Sequence, residues 1–186
     1  MDVNVVEPLT QDAGRITVQP SQPEDRAAIY DILMTSGLFG KTDADCVDEM
    51  FAGTWKALEA DPRADTYRWL SCKFELEPNQ HSNSNSNCVG FACFGTESLT
   101  HNTWDLYWVC VRPEARGKGV ARALMQEAVT QAKTQAARLM VIYTSSTAPY
   151  APARALYESQ GFVRTAVVPE YYNAGDDLYI YSRKLC

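Results

Sequence analysis

The chain has 186 residues, enough for one domain with a hydrophobic core, and its 46% hydrophobic and 22% charged composition is that of a water-soluble globular protein. A formal net charge of -6 excludes a protein whose main task is neutralising nucleic-acid phosphates, since that work needs clustered Lys and Arg. The opening MDVNVVEPLTQD has neither a basic nor an apolar signal region, and no apolar run approaches a membrane span, so the expectation is a cytoplasmic protein with no membrane or nucleic-acid partner, as a monomer or homodimer.

Residues 1–14 carry little pattern and read as a loose extension ahead of a single domain over 15–186. A strand is expected over Arg15 to Gln19. Ser21 with Glu24 then forms a capping box ahead of a helix with Ala28, Ile29, Ile32 and Leu33 on one face, ended by Gly37. A second helix, capped by Thr42 or Asp43, runs through Val47, Met50, Phe51, Trp55 and Leu58 and stops before Pro62. In TYRWLSCKFELE the alternation puts Leu70, Cys72, Phe74 and Leu76 on one face and Ser71, Lys73, Glu75 and Glu77 on the other, predicting a half-buried strand. Residues 78–87 are a polar, low-complexity loop. Strands follow at Cys88 to Gly95 and Asn102 to Val111, then a helix from Gly117 to about Gln135, a strand Leu139 to Thr144, a short helix Ala153 to Ser159, and strands Phe162 to Val168 and Asp177 to Lys184. The six cysteines contain no C-x-x-C pair and read as reduced thiols, and no metal-ligand spacing stands out.

The segment WDLYWVCVRPEARGKGVARALMQEAV places a basic glycine turn between an apolar strand and an amphipathic helix whose Val120, Leu124 and Ala128 stack at i+4. Gly117 and Gly119 let a ligand approach the main chain, the first N–H groups of the helix lack intrahelical partners, and Arg116 and Lys118 add positive charge. That geometry suits a phosphate, although a basic residue between glycines is also an ordinary surface turn. A Walker loop is excluded because G-x-x-x-x-G-K-[ST] is absent, and a dinucleotide fingerprint because the third glycine is missing.

The block VCVRPEARGKGVARALM, with Arg116, Gly119 and Ala121 in an R-x-x-G-x-[GA] pattern, resembles the GNAT superfamily of acyl-CoA-dependent N-acyltransferases. ARALYESQGF, Ala153 to Phe162, resembles the later L-Y-x-x-x-G-F helix of that family. The resemblance implies an α+β, three-layer αβα fold with a mostly antiparallel mixed sheet of six to seven strands, splayed at the cofactor site, and about four helices. It implies acetyl-CoA as acyl donor, its pantetheine arm along the main chain of Val109, Cys110 and Val111 and its pyrophosphate on Arg116, Gly117, Lys118, Gly119, Val120 and Ala121. Many members have an asparagine where this chain has Tyr150, so one side-chain contact to the donor departs from the pattern.

An alkylammonium, with a pKa of about 10.4, must lose a proton before it attacks an acyl group. Asp105 stands where many relatives start this strand with an acid and is the candidate base; the alternative is a solvated strand-end carboxylate or a hydrogen-bonding residue. Tyr157, in the L-Y-x-x-x-G-F motif, is the candidate acid for the departing thiolate and a further donor contact; the alternative is a tyrosine packing on the sheet. Glu97 and His101 are weaker candidates for an auxiliary base. No Ser, His and Asp arrangement surrounds Ser145 and Ser146, and Cys110 reads as a buried thiol, so direct transfer is expected. Phe39, Asp43, Asp45, Asp48, Glu49, Trp55, Tyr171 and Tyr172 could line a pocket for a cationic amine or belong to solvated faces and core. The expected activity is N-acetylation of a primary amine on a small molecule, with a protein lysine or N-terminal amine, or a non-catalytic acyl-CoA sensor, as alternatives.

Overall fold

The computed structural model describes residues 15–75 and 87–186. The expected N-terminal extension and all of the 78–87 loop except Asn87 lie outside the described residues. Seven strands form one sheet in the order β1-β2-β3-β4-β5-β7-β6, with four α-helices, within the range that the resemblance implied. The strands are β1 Arg15–Pro20, β2 Arg68–Glu75, β3 Cys88–Thr96, β4 Thr103–Val111, β5 Leu139–Ser145, β6 Val163–Asn173 and β7 Asp176–Lys184. The helices are α1 Arg26–Thr35, α2 Lys41–Ala60, α3 Val120–Thr134 and α4 Ala151–Ser159. The chain groups into two compact units, one holding residues up to Cys93 together with Trp108–Leu124, the other Phe94–Tyr107 together with Met125–Cys186.

In the first unit β1 pairs antiparallel with β2 from Arg15↔Glu75 to Pro20↔Leu70. The start of α1 is framed one residue later than Ser21 and Glu24 suggested. Pro23 holds the preceding Gln22 extended (φ -117, ψ 160), which makes Gln22 the cap of a short 3-10 turn, and its N–H donates to Asp25 Oδ2 at 2.9 Å. Ser21 instead lies buried against Ser71 Oγ at 2.7 Å, and Ser71 donates to Asp25 Oδ2 at 3.0 Å. This also corrects the half-buried reading of β2. Trp69 and Ser71 are as buried as Leu70 and Cys72, because Trp69 packs edge-on to Phe51 of α2 at 5.0 Å and donates its indole N–H to Thr54. Likewise Asp43 is not the cap of α2. It sits one turn in, and its carboxylate accepts from Gly40 N–H at 2.8 Å.

In the second unit the core is Phe94, Trp104, Leu106, Met125, Ala128, Met140, Ile142, Phe162 and Tyr181. β4 runs parallel to β5 in register from Thr103↔Leu139 to Asp105↔Val141, whereas β5 keeps its antiparallel register with β7 through to Ser145↔Leu178. β6 is an edge strand and runs five residues beyond Val168, past Pro169 and a Glu170 with φ 50. An edge tolerates the missing N–H of proline, and the register shift between Val168 and Asn173 absorbs the irregular backbone. Tyr171 and Tyr172, beyond the expected strand end at Val168, therefore lie on β6.

Candidate active site

The glycine turn lies in the first unit. The helix begins at Val120 and not at Gly117, because Gly117 (φ +75) and Gly119 (φ +83) are left-handed and cannot join an α-helix. The consequence is a looped entry, Arg116 to Gly119, in front of the first turn of α3, with Ala123 N–H closing on Gly119 O at 2.9 Å. A Cβ built on either glycine meets nothing within 4 Å, so the space over the turn is open. Residues present thus fit a diphosphate: an uncrowded main chain, the first N–H groups of α3 at Val120 and Ala121, which a helix start leaves without intrahelical partners, and Lys118 between the glycines.

Two features of the turn were not read from the sequence. Gly90 on β3 allows the start of α3 to seat on the strands, since a Cβ there would lie 2.8 Å from Val120 Cγ1 and 3.0 Å from Cys110 O. A glycine inside a strand was the available signal. Arg116, expected to supply charge to a phosphate, donates to Ser36 O at 2.6 Å, at the end of α1. Its neighbour Arg112 pairs with Asp31 at 2.5 Å and donates to Cys88 O at 3.2 Å. Both arginines thus bind the C-terminal half of α1, whose terminal carbonyls attract cations. On β4, Val109 and Val111 are half-buried, while Cys110 is buried with Sγ 3.9 Å from Ile32 O; burial pushes its thiol up to about 11, the behaviour of a packed cysteine and not of a nucleophile. All six cysteines are thiols.

Most of the acidic residues of α2 considered for an amine pocket are engaged elsewhere. Asp48 takes Arg26 in a two-point ion pair at 2.6 and 2.7 Å, Asp45 takes Lys41 and the Tyr30 hydroxyl, and Asp43 accepts from the Gly40 N–H at the start of α2. Phe39 packs edge-on to Trp108 at 5.2 Å, Trp55 lies 5.9 Å from Phe51, and Glu49 is exposed.

The second unit holds the candidate base and acid. Asp105 is 4% exposed, which overturns the solvated strand-end alternative, and its Oδ1 is buried with no hydrogen-bond partner among the described residues. Burial, reinforced by the charge of Glu97, pushes its carboxyl up to about 8. Glu97 is half-buried at the β3–β4 turn, where its N–H donates to Thr103 O at 2.8 Å. His101 has an exposed side chain, and its carbonyl accepts from Arg138. Tyr143 of β5 and Tyr172 of β6 both feel the charge of Asp105, and burial is the main cause that raises each of them, Tyr172 to about 12.

Tyr157 sits on α4, edge-on to Tyr181 at 5.7 Å. Burial pushes its hydroxyl up to about 12, against the opposing effect of a hydrogen bond with Thr144, so it keeps its proton at neutral pH. Tyr150 ends the 3-10 turn Ala148–Tyr150 before α4 and acts electrostatically on both Tyr157 and Tyr172. Tyr143 and Thr144 escaped the sequence reading because β5 is an apolar run with no motif. Ser145 donates to Asp176 Oδ1 at 2.6 Å and Ser146 accepts from Asp177 N–H at 2.8 Å, which makes them strand-end ties, not nucleophiles. Among the described residues no group of three or more His, Cys, Asp and Glu is placed to hold a metal, and no helix is long and apolar enough to cross a membrane.

Residues 81–164 match the family model of the acetyltransferase (GNAT) domain. Over 100 residues the chain is 36% identical to an uncharacterized protein of Mycobacterium leprae (strain TN); the match takes in 52% of this chain and 26% of that protein, so the chain spans about a quarter of its length. Among solved structures, a GNAT-family protein from Desulfovibrio desulfuricans superposes with a TM-score of 0.78 at 28% identity, over 92% of this chain and 99% of that one. A protein from Salmonella typhimurium, solved with its cofactor acetyl-CoA, gives 0.68 at 22% over 92% and 94%, and the ribosomal-protein-S18-alanine N-acetyltransferase of Escherichia coli gives 0.67 at 18% over 91% and 94%. The last two speak for the fold alone. The two motif blocks, the seven-stranded sheet and these matches agree: residues 81–164 match the acetyltransferase (GNAT) domain, and the chain resembles GNAT-family acetyltransferases in sequence and fold.

Proposed function

We propose that the protein is an N-acetyltransferase that moves the acetyl group of acetyl-CoA directly to a primary amine, with a small molecule as acceptor. The observation that carries this reading is Asp105, a buried carboxyl with one unpartnered oxygen and an affinity for protons matched to neutral pH. The donor supplies an acetyl thioester, with the glycine turn and the amides of Val120 and Ala121 as its diphosphate contacts and the Val109 to Val111 main chain and Tyr150 as further contacts. Asp105 takes the first proton from the acceptor's ammonium and passes it to solvent. As the new C–N bond forms and the C–S bond breaks, Tyr157 gives its proton to sulfur and regains one from the nitrogen. The net charge of -6 supports a cationic small acceptor.

The test is release of CoA thiol from acetyl-CoA against a panel of small amines and peptides. Asp105→Asn and Tyr157→Phe should each lower kcat by about a hundredfold or more, the usual scale for acid–base groups. Preference for a peptide amine over every small amine would replace the acceptor. Tight acetyl-CoA binding with no acceptor-dependent release would make the chain a sensor.

A further inference from the structure

Within the first unit, β4 and the glycine turn are fastened to α1 and the bend that follows it by a line of contacts. Cys110 Sγ lies 3.9 Å from Ile32 O, Arg112 pairs with Asp31 at 2.5 Å, and Arg116 Nη2 donates to Ser36 O at 2.6 Å. Phe39 then packs edge-on to Trp108 at 5.2 Å, on the face of β4 that period-2 alternation also gives to Cys110. Between the ties at Ser36 and Phe39 the chain bends through Gly37, left-handed at φ +72, and Leu38, which is 37% exposed. Leu38 N–H donates to Ser36 Oγ at 3.1 Å, so the start of the bend follows Ser36. Although Arg116 is exposed, its acceptor is the carbonyl of a residue only 3% exposed at the negative end of α1, where a guanidinium is a strong donor. Turning Arg116 toward a ligand over the glycine turn would take that donor away, a loss the new contact would first have to offset.

We propose that Arg116 is a positioning residue for the acyl donor: its guanidinium serves the end of α1 and not the diphosphate, and through Ser36 it sets the 37–40 bend beside β4. The proposal rests on the acetyl-CoA reading and reassigns one charged residue of that site. The diphosphate is left to the main-chain N–H groups of the turn and to Lys118. The bend, held by Arg116 at one end and by the Phe39 and Trp108 pair at the other, fixes the approach to the strand along which the pantetheine arm lies. Arg116 therefore acts on the arm of the donor, whether or not a diphosphate is attached to it.

S-acetylpantetheine carries the thioester and the arm but no diphosphate, so it separates the two roles. In calorimetry, Arg116→Ala should weaken acetyl-CoA and S-acetylpantetheine by the same factor, about tenfold, the scale of one hydrogen bond to a charged group. Arg116→Lys, which keeps a cationic donor for Ser36 O, should restore most of the affinity for both. Misfolding would lower the number of binding sites and leave the remaining sites at wild-type affinity, so the affinity itself reads positioning. Amide hydrogen exchange gives a second readout: Leu38 N–H should exchange faster in Arg116→Ala, and either donor should slow it in the wild type. A loss confined to acetyl-CoA makes Arg116 a phosphate ligand and overturns the proposal, as does undiminished binding of both donors or Leu38 exchange that the substitution leaves unchanged. Donor binding in the expected pattern without acceptor-dependent thiol release keeps the proposal and overturns acetyl transfer, and a wild type that binds neither donor overturns both.

Discussion

A buried carboxyl at position 105 is a cost to the fold when it ionises. Its folded-state pKa near 8 lies above the ordinary 3.8, so the folded state holds the extra proton between these values. The contribution of Asp105 to stability should therefore be fully present below about pH 4 and be lost as the pH rises toward 8, by an amount on the order of a few kcal/mol. Denaturant unfolding across this range should show the decline in the wild type and a flatter profile in Asp105→Asn. The same ionisation sets catalysis with the opposite sign. kcat/KM should rise with pH through a limb near 8, and Glu97→Gln should move that limb to lower pH by removing a neighbouring negative charge; a limb that stays where it was would detach Glu97 from Asp105. The identity of these two acids was readable in the sequence, since one follows an apolar strand pattern and the other ends the hairpin before it. Their coupling was not, because burial and the surrounding tyrosines arise from pairing between β4 and β5, which are far apart in the chain.

At the scale of elements, the turn from Arg116 to Gly119 shows how local chemistry and tertiary placement divide the work. Local chemistry was legible: two glycines between a strand and a helix do take left-handed conformations, and Val120, Leu124 and Ala128 are buried as their spacing required. Placement was not. Arg116 is spent on the end of α1 and Gly90 makes room for Val120, contacts to residues far upstream in the chain that no motif announces. Gly119→Ala should strain its φ of +83 by about 1–2 kcal/mol and lower the unfolding midpoint, yet leave donor binding measurable. Gly119→Glu adds a negative side chain over the turn and should abolish acetyl-CoA binding by calorimetry; unchanged binding would move the diphosphate elsewhere. The element boundaries that shifted, the start of α1, the start of α3 and the end of β6, each did so at a Pro or a positive φ. The hydrophobic period locates an element but does not fix where its backbone becomes irregular.

For the whole molecule, the order of strands and helices followed from periodicity and the family resemblance, and the sheet order did not, since β7 inserts between β5 and β6 without any local signature. Ligand linkage gives a global check. Acetyl-CoA at a hundred times its Kd should raise stability by about 2.7 kcal/mol and the unfolding midpoint accordingly, and Gly119→Glu should lose that rise. The central claim is direct acetyl transfer to an amine, and a quenched single turnover followed by mass spectrometry tests it most directly. With acetyl-CoA and phenethylamine, the account predicts that the acetyl group passes to the amine in step with CoA release and at no time resides on the protein. An acetylated protein that forms before the product and decays into it, or CoA release with no acetylated amine, would contradict the account.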